Sequence, residues 1–147
     1  MKMKLIAAFA ALVALTPAAL AAPATLAVKI APVVILTGGQ ENVVVPVTLT
    51  LANPSDQPAT LKASNGCEIN IWNVTDSKNT IVTDHGICMM IYQPQTNTLA
   101  PGASQSEVKS ISLRTADYRE GESYTLHYRF WGISADAPFV VKGHAAN

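Results

Sequence analysis

Residues 64–92 read Ser64-Asn65-Gly66-Cys67-Glu68-Ile69-Asn70-Ile71-Trp72-Asn73-Val74, then Thr75-Asp76-Ser77-Lys78-Asn79, then Thr80-Ile81-Val82-Thr83-Asp84-His85-Gly86-Ile87-Cys88-Met89-Met90-Ile91-Tyr92. Two runs of alternating apolar residues flank a short polar stretch, Thr75 to Asn79. That pattern predicts a β-hairpin. Facing Val74 with Thr80 sets Trp72 against Val82 and Ile71 against Thr83. A one-residue bulge at Gly86 would then bring Cys67 opposite Cys88. These are the only two cysteines in the chain.

Other strands follow outward from this hairpin. Val43 to Leu51 alternates cleanly, with Val43, Val45, Val47, Leu49 and Leu51 on one face and Pro46 lacking the amide that a central strand needs. Tyr124, Leu126, Tyr128 and Phe130 share a face of a second strong strand. Weaker strands are expected over Thr25–Ile30, Val33–Leu36, Ala59–Lys62, Glu107–Leu113 and Phe139–Val141. The segment after Tyr92 reads as polar and irregular through Thr98. Asn53-Pro54-Ser55-Asp56-Gln57-Pro58 and Leu99-Ala100-Pro101-Gly102 read as turns. No convincing helix is expected within this region. Short strands at turn-punctuated spacing favour an all-β fold, an antiparallel immunoglobulin-like β-sandwich of about 7–9 strands. Trp72 and Tyr124 resemble the buried Trp and the tyrosine corner of such domains. The expected core is Val45, Val47, Leu49, Leu51, Ile69, Ile71, Leu126 and Tyr128.

The N-terminus reads as a signal peptide. Lys2 and Lys4 precede an apolar run, Leu5 to Leu15, and Ala19-Leu20-Ala21 fits a cleavage site. Residues 1–21 are therefore expected to be removed, leaving a single domain over residues 22–147. Removal takes two of the ten basic residues and no acidic one, so eight basic residues stand against ten acidic. The resulting net charge of −2, with His neutral, argues against a nucleic-acid partner. No second long apolar run is present, so no membrane insertion is expected after cleavage. Export places the chain in the periplasm or the extracellular medium, where Cys67 and Cys88 are expected to form a disulfide.

Chemistry-bearing motifs are sparse. His85, Met89 and Met90, together with Cys88, form a soft-ligand group of the kind that suits Cu(I) in a periplasmic copper-binding protein. Strand alternation would send Met89 and Met90 to opposite faces, and a disulfide would remove the Cys88 thiolate, so core methionines are the preferred reading. No cofactor is expected. Neither a nucleophile elbow nor a His-Glu-x-x-His motif occurs, and the chain is not expected to be an enzyme. The stretch Trp131 to Pro138 joins the last two strands and offers an aromatic anchor. Trp131, Gly132, Ile133 and Pro138 are the candidate partner-binding residues. The competing reading makes Trp131 a cover for the open end of the sandwich.

The order of these pieces resembles the intracellular proteinase inhibitor (BsuPI-like) domain family. The resemblance rests on Val47-Thr-Leu-Thr-Leu-Ala-Asn53, Ser64-Asn-Gly66 before the hairpin, Leu99-Ala-Pro-Gly102, and Gly121-Glu-Ser-Tyr124 with the alternating run to Gly132. It spans nearly the whole mature chain. The family's Trp and aromatic-Thr-Gln stretch are absent here, and the cysteine pair and export signal are additions. The resemblance implies binding to a protein partner, with serine-protease inhibition as the activity, and assigns no reactive-site residue. A cell-envelope or surface interaction module without inhibitory activity is the alternative.

Overall fold

The computed structural model describes residues 23–37, 39–85 and 92–143. Within them the chain is nearly all strand: β1 (Thr25–Lys29), β2 (Val33–Ile35), β3 (Asn42–Ala52), β4 (Ala59–Ala63), a single helical turn α1 (Gly66–Ile69), β5 (Asn70–Thr75), β6 (Ile81–Asp84), β7 (Gln95–Leu99), β8 (Ser104–Arg114), β9 (Ser123–Phe130) and β10 (Ile133–Lys142). A 3₁₀ turn, Thr115–Asp117, precedes β9. One sheet has the order β1-β3-β8, a second has β2-β10-β9-β5-β6, and β4 pairs with β7 as a separate ribbon.

The two sheets face one another because their strands alternate. On β3, Val47, Leu49 and Leu51 are fully buried while Val44 on the opposite face is 65% exposed. On β9, Tyr124, Leu126, Tyr128 and Phe130 point inward, joined by Trp72 and Val74 from β5 and by Ala137, Phe139 and Val141 from β10. These side chains form one contiguous cluster with Ile111 and Leu113 of β8. Each large side chain in it contributes roughly 1.5–3 kcal/mol of transfer free energy.

The first strands show the immunoglobulin-like crossing. β1 runs antiparallel to β3 in the smaller sheet, after which the chain crosses to the larger sheet, where β2 runs parallel to β10. The tyrosine corner is present: the Arg119 N–H donates to Tyr124 Oη at 2.8 Å, holding the bend before β9. The fold is therefore the antiparallel immunoglobulin-like sandwich that the alternation implies, with ten strands among the described residues.

Two prolines mark where strands lose a neighbour. β1 pairs with β3 from Thr48 onward, so Pro46 lies where β3 is bonded to β8 alone. β2 pairs with β10 only over Val140–Lys142, so Pro138 also sits where its strand has one partner. The missing amide costs little at such places. On β8, Glu107 and Lys109 occupy inward-facing positions and pair with each other. Inward charges on an edge strand discourage pairing with another chain, which explains the poor alternation there.

Several expectations are corrected. Cys67 and Ile69 lie on α1 rather than in a strand. Ile69 and Ile71 are only partly buried, and β5 turns Trp72 and Val74 to the core instead. Within this strand Ile71 shares its face with Asn73 and Thr75, whereas Trp72 and Val74 form the more apolar face and turn inward. The hairpin exists in a different register: Asn73 faces Asp84, Val74 faces Thr83 and Thr75 faces Ile81. Val82 is the extra residue, so the described irregularity falls there; Gly86 lies outside the described residues. The polar stretch after Tyr92 contains strand β7, whose residues pair with β4 from Ala59↔Leu99 to Ala63↔Gln95.

Candidate functional site

The stretch predicted to be a loop from Trp131 to Pro138 is a two-residue turn followed by strand. Phe130 pairs with Ile133 across it, and Pro138 pairs with Thr125 inside the β9–β10 ladder. Five residues of strand, roughly 17 Å, therefore separate the exposed Pro138 from Ile133. Pro138 is not part of the turn surface.

Trp131 has φ 51° and Gly132 has φ 79°. Positive φ at both central positions is what a type I′ hairpin turn requires, and Asn-Gly is its usual sequence. A tryptophan at the first position is an outlier, since a bulky side chain there is strained by about 1–2 kcal/mol. The surrounding contacts hold it in place. The Trp131 N–H donates to the Ile69 carbonyl at 3.0 Å, tying the turn to the end of α1. The indole is half-buried against the rim of the core, Ile133 is half-buried beside it, and Gly132 is exposed. Trp131 thus both covers the core and presents part of its ring outward.

Helix α1 is built from a short capping signal. Asn65 Oδ1 accepts the N–H groups of Cys67 at 2.9 Å and Glu68 at 3.0 Å. The Glu68 carboxylate reaches back to the Ser64 N–H at 2.7 Å. That bond, and more weakly the nearby Arg129 charge, lowers the Glu68 pKa. Asn-x-x-Glu is a capping-box spacing, which was the available signal for this turn.

The outer face of the larger sheet carries a second constellation. His127 Nδ1 lies 2.8 Å from Asp136 Oδ1, and His127 Nε2 lies 2.9 Å from Thr75 Oγ1. Asn73 and Asp136 flank His127 in the ladder, and Ile71 and Ser134 flank Arg129 one row further along. Together these residues border a depression of about 230 Å³. The hydroxyl, imidazole and carboxylate form a line, but Thr75 is only 7% exposed and β5 is bonded on both sides, by β6 and β9. Its amides serve the ladder, whereas acyl transfer needs N–H groups aimed at a developing oxyanion. The line fixes the ring rather than activating a nucleophile.

At the opposite end of the sandwich the hairpin tip satisfies itself. Asp76 Oδ1 accepts the N–H groups of Lys78 and Thr80 at 2.8 and 2.9 Å, and these bonds lower its pKa, that of Thr80 most. Asp117 takes both of its oxygens to Arg114. The tip therefore presents few unsatisfied groups.

His85 donates its N–H to the Trp72 carbonyl at 3.0 Å, and its ring stands edge-on to Trp72 with centroids 6.2 Å apart. Cys88, Met89 and Met90 lie outside the described residues. Among the described residues no group of three or more His, Cys, Asp or Glu is placed to hold a metal ion.

No family model matches the chain. No curated protein matches it either. Among solved structures it is similar to a β-glucosidase from Listeria innocua. The D270A mutant in complex with laminaribiose is 12% identical, with a TM-score of 0.45 over 84% of this chain and 16% of that chain. The complex with isofagomine gives the same figures, and the glucose complex is 11% identical with a TM-score of 0.45. This chain thus spans about 16% of the length of the glucosidase it matches. At that identity and TM-score the likeness says nothing of substrate or activity.

Proposed function

We propose that the chain is an exported protein-binding module whose partner docks at the end of the sandwich formed by the Trp131–Gly132 turn and α1. The observation that carries this reading is the tryptophan held at φ 51° and only half-buried. Asparagine or glycine would suit the turn better, and strain retained in a rigid frame points to a functional surface. The turn sits on the long β9–β10 ladder, so little entropy is lost on docking. The resemblance to the BsuPI-like family supports a protease as the partner, and the N-terminal segment supports export.

Titrating the mature protein against a panel of secreted serine proteases tests the inhibitory activity. Stoichiometric loss of one protease's activity is the expected result. A stable complex with an envelope protein and no inhibition would leave a binding module without inhibitory function. Absence of any complex would sink the reading.

Export also carries the cysteine pairing. His85, three residues before Cys88 in the sequence, is bonded to Trp72, five residues after Cys67. Peptide mapping without reduction is expected to return a linked Cys67–Cys88 peptide. Recovery of two freely alkylated cysteines from the exported protein would count against it.

A further inference from the structure

We propose that the depression on the outer face of the larger sheet binds a carboxylate, with Arg129 as the donor to an acidic side chain of a partner protein. This rests on the protein-binding reading and gives the partner's chemistry.

Arg129 stands in the middle of the face, between Ile71 and Ser134 in the ladder. Its guanidinium forms neither an ion pair nor a hydrogen bond among the described residues. The carboxylates around it are otherwise engaged or set at the margin. Asp136 is held by His127, and Glu68 accepts the Ser64 N–H. Asp84, on β6, lies beyond Asn73. The guanidinium therefore keeps its planar donors free of a direct carboxylate partner, with the Glu68 charge acting on it only from a distance, and those donors fit a carboxylate in two parallel bonds. Asn73 and Ser134 add side-chain groups that make no hydrogen bond among the described residues. His127 is fixed at both ring nitrogens and forms a rigid wall.

Size is compatible with a side chain as the source of the carboxylate. A volume of about 230 Å³ is below the roughly 300–1,000 Å³ of pockets that enclose a free ligand. It accommodates one side chain. The position agrees, since Arg129 lies near the end of β9, two residues before Trp131 of the turn, so a partner resting on the turn reaches both.

An NMR titration of the mature protein with N-acetyl-aspartyl-amide, with N-acetyl-asparaginyl-amide as the neutral control, tests this. The acidic probe is expected to shift the Arg129 side-chain N–H, the Asn73 amide and Ser134 saturably, and the neutral probe to leave them in place. Arg129→Gln should weaken binding tenfold or more with an otherwise unchanged spectrum, and Arg129→Lys should retain part of it. Equal response to both probes, no response, or an unaffected Arg129→Gln protein would overturn the proposal. Tighter binding of free succinate than of the capped aspartate would overturn the assignment to a side chain. The Trp131→Ala protein should bind the probe normally, so the groove and the docking turn can fail separately.

Discussion

Truncating Leu126 to alanine is expected to destabilise the protein by about 3–5 kcal/mol, the upper part of the range for a buried leucine. Leu126 is fully buried at the centre of β9, with Val74 opposite it on β5 and Ala137 opposite it on β10. Ala137 is too small to move into the space, and both flanking strands are held by their ladders, so the cavity would persist. Urea unfolding of the protein measures the change. A loss below about 0.5 kcal/mol would mean that the position behaves as surface and that the inward face of β9 is misassigned.

Asn53→Ala is the second large loss expected, about 2–4 kcal/mol. Asn53 is 1% exposed. Its Nδ2 donates to the carbonyls of Gln57 at 2.8 Å, Ala100 at 3.1 Å and Leu99 at 3.2 Å, while Oδ1 accepts Ser55 Oγ at 2.7 Å and the Ser55 N–H at 3.2 Å. One amide therefore joins the turn after β3 to the turn before β8. Alanine leaves those carbonyls without their donor in a buried setting. Asn53→Asp should be no better, because a carboxylate oxygen would then face three carbonyl oxygens. A thermal melt showing either variant as stable as the parent would contradict the role of the amide.

What could be read from the chain alone follows from which interactions are local. β3 and β9 alternate without conflict, so their inward residues were legible, as was the single-neighbour position of Pro46. The Tyr124 corner was legible because its bond spans five residues. β5 was misread because Ile69, Ile71, Trp72 and Val74 offer apolar residues to both faces, and only packing decides between them. The hairpin register was misread from its first pair, since Thr75 faces Ile81 where a Val74–Thr80 pairing sets it against Asn79, and the Val82 irregularity shifts the pairs beyond it once more. β7 was hidden because its residues are polar apart from Leu99, and it is a strand through pairing with β4.

The candidate site was legible only in part. Trp131, Gly132 and Ile133 stood out as residue types, and Gly132 supplied half of a turn signal. That the turn is two residues long, and that Pro138 belongs to a strand, depends on the pairing of Phe130 with Ile133. The row of Asn73, His127 and Asp136 joins three separate strands, so no local pattern announces it. The same holds for Arg129 and Ser134.

The docking turn is tested most directly by Trp131→Asn, measured for stability and for binding in the same preparation. Asparagine tolerates positive φ and relieves strain of about 1 kcal/mol, which offsets part of the burial lost with the partly buried indole. The melting temperature should stay close to that of the parent, while affinity for the inhibited protease or captured partner falls at least tenfold, about 1.4 kcal/mol. Full binding by the Trp131→Asn protein, or a loss of binding that merely follows unfolding, would show that Trp131 only covers the core and that the partner surface lies elsewhere.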